Sequence, residues 1–344
     1  MLLQQILLEN FRNFSQDTFN FNPCLTVIFG DNSKGKTNLL EAIHFVTNGS
    51  GFRETKEIEL IKFEEKSATV DARFGDDKEN LSYKIILDNR KTTIQKNFFI
   101  NKARKTFYSF RRETDLTVLF TPQQIEIITD SPDIRRKYFD KFICLYNLEY
   151  KKKLVNYEAA LRKRNKLLEI INNIDRLKEE LTFWDQYLEE QAVYITNERQ
   201  SYVDFLNSHP TLDHKNFNIQ YLKSELTKKR LEENLDKELR FRRTLIGPQK
   251  DDFHIFLAGR DLHFFGSRIE QRLAIFWLKV NEINYFEKNF QKKPIILLDD
   301  VFSELDDDNR KLVLNLIKKY QTILTTTDQQ LTKFPHIPTS IIKL

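Results

Sequence analysis

The chain has 344 residues, of which 40% are hydrophobic and 31% are charged, and its net charge is +5 at pH 7. This composition suits a globular protein with charged helices, and no repeat or low-complexity tract is present. No run of about 18 apolar residues occurs, and the first residues lack a basic region and a cleavage site, so we expect neither a membrane span nor a signal peptide. Two cysteines, Cys24 and Cys144, favour the cytoplasm, and the histidine spacing predicts no structural zinc.

Residues 30–37, Gly-Asp-Asn-Ser-Lys-Gly-Lys-Thr, fit the phosphate-binding consensus G-x-x-x-x-G-K-[ST]. They follow an apolar run typical of a strand, Leu25–Phe29, and precede a helical pattern, Asn38–Phe45. Strand, loop and helix in this order predict a Walker A motif, in which Lys36 neutralises the β- and γ-phosphates and Thr37 holds Mg²⁺. The nucleotide-binding residues predicted from this loop are Gly30, Asp31, Asn32, Ser33, Lys34, Gly35, Lys36, Thr37 and Asn38.

Alternating apolar and polar residues predict strands after the first helix. The expected strands cover residues 68–74, 81–87 and 93–100, with a turn at Asp88–Arg90 between the last two. They add a β-rich region to the Walker A half.

The middle of the chain lacks the two strongest helix breakers. No glycine occurs between Gly75 and Gly247, and neither glycine nor proline occurs between Pro132 and Pro210. Apolar residues there recur at spacings of three and four, which predicts helices with one apolar face. The Asn-rich residues 171–174 are expected to separate two antiparallel helices.

A second nucleotide-binding pattern lies far downstream. The apolar run Pro294–Leu298 ends in Asp299 and Asp300, as in a Walker B motif. We expect Asp299 to hold the Mg²⁺ ion through water and Asp300 to position or activate the attacking water. The predicted catalytic residues are therefore Lys36, Asp299 and Asp300, and the predicted metal ligands are Thr37 and Asp299.

These segments predict an α/β fold, in which a helical arm is inserted between the Walker A and Walker B halves of an ATPase head. The expected divisions are residues 1–125 for the N-terminal part of the head, 126–225 for the arm and 226–344 for the C-terminal part. Residues 321–327 are expected to form a core strand of the head. Ser303–Asp306, just after the Walker B run, resembles the D-loop of ABC-type ATPases, and it also fits a helix N-cap.

Over nearly its full length the chain resembles the RecF family of DNA-repair ATPases, which is related to the heads of SMC and ABC proteins. The segments that carry the resemblance are residues 8–14, 30–38, 51–53, 131–140, 162–168, 184–188 and 247–252. The resemblance implies an ABC/SMC-type P-loop head with ATP and Mg²⁺ as cofactors and Arg12 as a phosphate contact. It also implies an ATP-driven homodimer that closes on double-stranded DNA at gaps or junctions, with RecR and RecO as partners in loading a recombinase.

One motif departs from the family. The signature motif, roughly S-x-G-Q-Q-R, here reads Ser267-Arg268-Ile269-Glu270-Gln271-Arg272. Ser267 is kept for a phosphate contact across the dimer, but Ile269 crowds the approach and Glu270 adds negative charge near phosphate. We therefore expect a weak, DNA-stimulated ATPase at most.

Basic clusters predict contacts with the DNA backbone, although a solvated helix face gives the same pattern. The predicted DNA-binding residues are Lys151, Lys152, Arg162 and Arg164 in the arm, and Arg104 and Arg111 before it. Two other functions stay open: an ABC-type ATPase subunit coupled to a protein or membrane partner, and a structural clamp that binds ATP but barely hydrolyses it.

Overall fold

The computed structural model describes residues 1–53, 56–75, 79–90, 93–171, 173–304, 307–332, 334 and 336–344. Its strands are β1 (Leu2–Phe11), β2 (Phe14–Asn20), β3 (Leu25–Phe29), β4 (Ser67–Gly75), β5 (Asn80–Arg90), β6 (Thr93–Ile100), β7 (Ala103–Lys105), β8 (Thr117–Phe120), β9 (Thr211–Leu212), β10 (Lys215–Leu222), β11 (Asp252–Leu257), β12 (Arg260–Asp261), β13 (Ile295–Asp299), β14 (Thr322–Thr326) and β15 (Thr339–Lys343).

The helices lie between groups of these strands along the chain. They are α1 (Lys36–Asn48), α2 (Phe107–Glu113), α3 (Glu126–Thr129), α4 (Pro132–Tyr146), α5 (Leu148–Ile170), α6 (Ile174–Ser208), α7 (Lys228–Phe241), α8 (Leu262–Phe265), α9 (Arg268–Phe290) and α10 (Asp307–Ile317). The chain separates into two compact units, residues 1–124 with 279–344 and residues 125–278.

The first unit contains a parallel sheet with the strand order β15-β3-β14-β13-β8. Every residue of β13 and β14 is buried, as expected for parallel strands whose two faces are both covered. Strands β3 and β13 are the two neighbours of β14. The ends of the Walker A and Walker B strands therefore meet at one edge of the sheet, although about 270 residues separate them in sequence.

An antiparallel sheet in the same unit has the order β2-β1-β4-β5-β6-β7. The predicted alternation is confirmed in β4, where Ala68, Val70, Ala72 and Phe74 are buried. These side chains join one hydrophobic core with those of α1, such as Leu39. The core fixes the helix that follows the phosphate-binding loop.

The prediction of a turn at Asp88–Arg90 is wrong, because β5 continues through Arg90. Asp88 pairs with Gln95 and Arg90 with Thr93, so cross-strand backbone bonds override the turn preference of Asp and Asn. The strand expected near residues 321–327 is confirmed as β14.

The second unit contains the predicted helices and a sheet with the order β12-β11-β10-β9. Helix α5 ends at Ile170 and α6 begins at Ile174, as the sequence predicts. Contacts pair Asn147 with Glu198 at 2.9 Å and Arg164 with Asp185 at 2.6 Å, so the two helices run antiparallel. This compact unit extends to residue 278, past the predicted end of the arm at residue 225, and the assignment of residues 226–278 to the head stays a prediction.

A buried arginine organises this second unit. Arg199 is 2% exposed and donates to Asp251 at 2.7 Å, to Asp140 at 2.9 Å and to the backbone oxygen of Pro248 at 2.8 Å. A buried charge is tolerated when it is paired and fully hydrogen-bonded. The network ties α6 to α4 and to the loop that precedes β11.

Candidate nucleotide-binding site

The phosphate-binding loop is closely packed around Gly35. Gly35 has a φ of 104°, and a Cβ there would lie 2.5 Å from the Asn13 side chain. Asn13 donates to the backbone oxygen of Lys34 at 3.3 Å and accepts from the Asn38 amide at 2.7 Å. Only glycine combines this backbone conformation with this close approach.

Lys36 lies inside the curve of the loop. Its ammonium group donates to the backbone oxygens of Gly30 and Asp31, both at 2.8 Å, and the residue is 8% exposed. Helix α1 begins at Lys36 without a side-chain cap and without an acid in its first turn. Uncapped amides and a cation at the start of a 13-residue helix favour an anion there.

Thr37 and Asp299 join the two Walker motifs. The Thr37 hydroxyl donates to Asp299 Oδ1 at 2.9 Å, and Thr325 in β14 donates to the same oxygen at 2.9 Å. Burial raises the pKa of the Asp299 carboxyl above its ordinary value, while the two hydroxyl groups act in the opposite direction. A hydroxyl and a carboxylate at this spacing are hard oxygen ligands that suit Mg²⁺, which takes its other ligands from phosphates and water.

Asp300 follows in an unusual conformation. Its φ is 51°, and its backbone N–H donates to the Thr325 hydroxyl at 2.9 Å. The turn ends β13 directly after the carboxylate of Asp299. A role for Asp300 in positioning water stays a prediction.

Arg12 is held by an acid that the sequence analysis did not single out. Its Nε donates to Glu41 at 2.7 Å, and the Glu41 side chain is fully buried. Glu41 also accepts the backbone N–H groups of Phe52 at 3.2 Å and Arg53 at 2.9 Å. Glu41 therefore ties α1 to the segment after it, and the contact of Arg12 with phosphate stays a prediction. In the sequence, the signal for this role is that Glu41 is the one acidic residue in the predicted helix Asn38–Phe45.

The signature segment differs from the sequence-based expectation. The Glu270 carboxylate accepts the backbone N–H of Ser267 at 2.9 Å and pairs with Arg260 at 2.7 Å. The Ser267 hydroxyl accepts the N–H of Glu270 at 3.3 Å, which completes a capping box at the start of α9. The Ser267 N–H holds the pKa of Glu270 below its ordinary value. The charge expected to oppose phosphate is thus engaged within its own chain, while Ile269 is 51% exposed.

Two of the residues predicted to bind DNA are buried, which corrects that part of the prediction. Arg164 is 0% exposed, because it pairs with Asp185 at 2.6 Å and with Glu238 at 2.7 Å. Arg111 is 6% exposed and donates to the backbone oxygen of Thr47, and burial lowers its pKa to about 10. Sequence clustering did not reveal these partners, which come from distant segments.

The other predicted DNA-binding residues are accessible. Arg104, Lys152 and Arg162 are exposed, and Lys151 is half-buried. Their role as phosphate contacts stays a prediction. The segment Ser303–Asp306, which resembles a D-loop, lies partly outside the described residues.

Fold and site together define a P-loop ATPase head of the SMC and ABC type. The family model for the RecF/RecN/SMC N-terminal domain matches residues 2–341. The chain is 34% identical to the DNA replication and repair protein RecF of Thermoanaerobacter pseudethanolicus, over 97% of this chain and 96% of that protein.

Solved structures agree with this class. The recombination mediator protein RecF with ATPrS superposes with a TM-score of 0.89 at 30% identity, over 99% of this chain and 95% of that one. RecF with ATP superposes with a TM-score of 0.84 at 30% identity, over 96% of this chain and 93% of that one. The chain belongs to the RecF family. Within the described residues, every helix is too short or too polar to cross a membrane.

Proposed function

We propose that this chain is an ATP-dependent DNA-binding protein of recombinational repair and replication-gap processing. The observation that carries the proposal is the hydrogen bond of 2.9 Å between Thr37 and Asp299, because it brings the predicted Walker A and Walker B motifs together. Relatives over nearly the full length support it, since two of them are described as recombination mediators of the RecFOR pathway.

ATP and Mg²⁺ are the proposed cofactors. Lys36 and the first amides of α1 would hold the β- and γ-phosphates, and Thr37 with Asp299 would hold the metal. The bound Mg²⁺ would supply charge neutralisation at the phosphates. In this chain, Thr325 orients the Asp299 carboxylate and the buried Glu41 fixes Arg12 near the loop.

A homodimer is the proposed active form. Ser267 of each copy would contact the nucleotide of the other, and the closed dimer would hold double-stranded DNA at gaps or junctions. ATP would close the dimer because it binds the closed state more tightly than the open one. Slow, DNA-stimulated hydrolysis would remove the ATP and so open the dimer. Lys151, Lys152, Arg162 and Arg104 are the proposed phosphate contacts.

RecO and RecR are the proposed protein partners, and the cytoplasm is the proposed compartment. Together these proteins would help to load the recombinase at single-strand gaps. The alternative of an ABC-type subunit coupled to a membrane or protein partner is not favoured, since the relatives of about 30% identity or more that match nearly the full chain are described as RecF.

Fluorescence anisotropy with a labelled gapped duplex tests the proposal. The measurement compares ATP, ADP and no nucleotide, at low and at physiological salt. We expect tight binding with ATP only. Absence of binding in every nucleotide state at low salt would contradict DNA binding and leave only the ATPase site. The variant Lys36→Ala provides the control, because it should bind equally weakly with and without ATP.

A further inference from the structure

One face of the antiparallel sheet in the first unit carries an aromatic ring between two cations. Phe98 and Ile100 in β6 are buried, so Phe99 between them faces the opposite side of the sheet and is half-buried. Phe99 pairs directly with Lys84 in β5 and with Arg104 in β7. Directly opposed residues have side chains about 5 Å apart, so the three side chains form one row across the sheet.

A groove of about 540 Å³ lies beside Lys84 and Phe99 of this row. The side chains that line it include Asp71, Arg73, Ser82, Lys84, Phe99 and Lys102. The one carboxylate among them is engaged, because Asp71 accepts from Ser82 Oγ at 3.1 Å and lies 3.9 Å from the Lys84 ammonium. Within the described ranges, neither Arg73 nor Lys102 has an acidic partner within 4.0 Å. The groove therefore has an excess of positive charge.

The ring of Phe99 is also available. Among the residues that the structure describes, the neighbouring Phe98 contacts Phe107 and Phe110, whereas Phe99 has no ring partner. A basic groove with an accessible aromatic side chain is the combination that binds single strands: cations follow the phosphates, and a base stacks on the ring. A duplex offers no base face to such a ring, since its bases are stacked on one another.

We propose that this groove binds a single-stranded DNA segment, with a base on Phe99 and phosphates at Arg73, Lys84 and Lys102. The proposal rests on the proposed DNA-binding function and adds a separate place for the unpaired strand of a gap. The groove is large enough for one or two nucleotides, since small-ligand sites are typically about 300–1,000 Å³.

Substitutions of Phe99 test the stacking contact in the full chain. Phe99→Leu keeps an apolar side chain but removes the ring, and we expect it to weaken binding of labelled (dT)20 by about fivefold or more. Affinity for a blunt duplex should stay unchanged. Unchanged affinity of this variant for (dT)20, with an intact thermal unfolding transition, would overturn the proposal.

Phe99→Trp gives an independent readout. The fluorescence of the new indole should be quenched by unlabelled (dT)20. The signal of Trp184 and Trp277 in the unsubstituted chain serves as the baseline. No additional quenching would overturn the stacking assignment, even if Phe99→Leu has altered the local sheet.

Lys84→Glu tests the charge, with Lys237→Glu as the matched control at an exposed lysine of α7. We expect the first variant to weaken (dT)20 binding and to reduce its dependence on salt, and the control to change neither. Equal weakening of (dT)20 and duplex binding by Lys84→Glu, with no effect of Phe99→Leu, would overturn the single-strand assignment and make the face a duplex contact. Absence of ATP-dependent binding of the unsubstituted chain to the gapped duplex would contradict the proposed function. Binding of (dT)20 reports separately on the groove.

Discussion

The Thr37 hydroxyl donates to the carboxylate of Asp299 at 2.9 Å, across 262 positions of sequence. Thr37 lies at the start of α1, just after β3 and the phosphate-binding loop, and Asp299 is the last residue of β13. The contact forms because β3 and β13 lie on either side of β14. Thr325 at the end of β14 donates to the same carboxylate oxygen. Three segments of the chain therefore meet at one oxygen, where a Mg²⁺ ligand is expected.

Replacement of Lys36 by alanine is expected to abolish ATP-driven dimerisation. The ammonium group of Lys36 is the cation inside the phosphate-binding loop, and alanine removes it. Multi-angle light scattering with and without ATP gives the measurement. Lys34→Ala is the control, because Lys34 is exposed and would contact the nucleotide through its backbone. A dimer of the Lys36 variant that still forms with ATP would refute the role of this residue.

Replacement of Asp299 by asparagine is expected to stabilise the ligand-free protein and to weaken Mg²⁺–ATP binding. Burial raises the pKa of Asp299, so its stabilising contribution is present at low pH and is lost as pH rises through the raised value. Asparagine still accepts both threonine hydroxyls and carries no charge. We expect a gain of about 0.5–2 kcal/mol at pH 7, the usual size of a single stabilising substitution.

Thermal unfolding between pH 4 and 7 measures this effect. The difference between the variant and the unsubstituted chain should grow with pH above the ordinary carboxyl pKa of about 3.9. Adding Mg²⁺–ATP should reverse the order, since only the carboxylate protein gains stability from the ligand. If Asp299→Asn is less stable than the unsubstituted chain at every pH without ligand, the negative charge of Asp299 does not destabilise the ligand-free protein.

Replacement of Ile269 by glycine is expected to raise ATP turnover. Ile269 is 51% exposed beside Ser267 at the start of α9, and in the proposed dimer its branched side chain would crowd the approach of the second copy. We expect roughly a tenfold increase, which corresponds to about 1.4 kcal/mol in the barrier. A phosphate-release assay with excess DNA gives the rate. Ile269→Ala separates side-chain size from backbone freedom, and an unchanged rate in both variants would remove this explanation of weak hydrolysis.

Arg162 and Arg164 lie two positions apart and are expected to respond in opposite ways. Arg164→Ala leaves Glu238 buried without its partner, so the free energy of unfolding should fall by about 3–5 kcal/mol. Arg162→Ala should leave stability unchanged. It should also lower the slope of log affinity against log salt by about 0.9, the value for one lost phosphate contact.

Chemical denaturation and salt titrations of DNA binding measure the two effects. If Arg164→Ala does not fold, Arg164→Met keeps much of the volume and reports on the same charge. An equal loss of DNA affinity in both variants, without a loss of stability at Arg164, would contradict the buried position of Arg164.

The local patterns of the sequence were sufficient for much of this fold. Glycines and a lysine at fixed spacing predict the loop around Lys36, because phosphate binding requires backbone amides and a cation in that order. Alternation predicts β4, and missing helix breakers predict α5 and α6. These features depend on neighbours in sequence, so a single chain reveals them.

The turn at residues 88–90 and the division of the chain were not predictable in this way. The preference of Asp and Asn for turns was overridden by pairing between β5 and β6. Residues 226–278 continue the second unit because β10 pairs with β11, a contact that no local pattern indicates.

By itself, the sequence determined where the two nucleotide-binding motifs lie, and it predicts which of their residues would meet phosphate and metal. Tertiary structure decided which charged residues remain available. Arg164 and Arg162 have the same chemistry, yet one is buried between Asp185 and Glu238 and the other is exposed. The physical reason is that burial of a charge depends on partners brought in from distant segments, and chain topology alone places those partners.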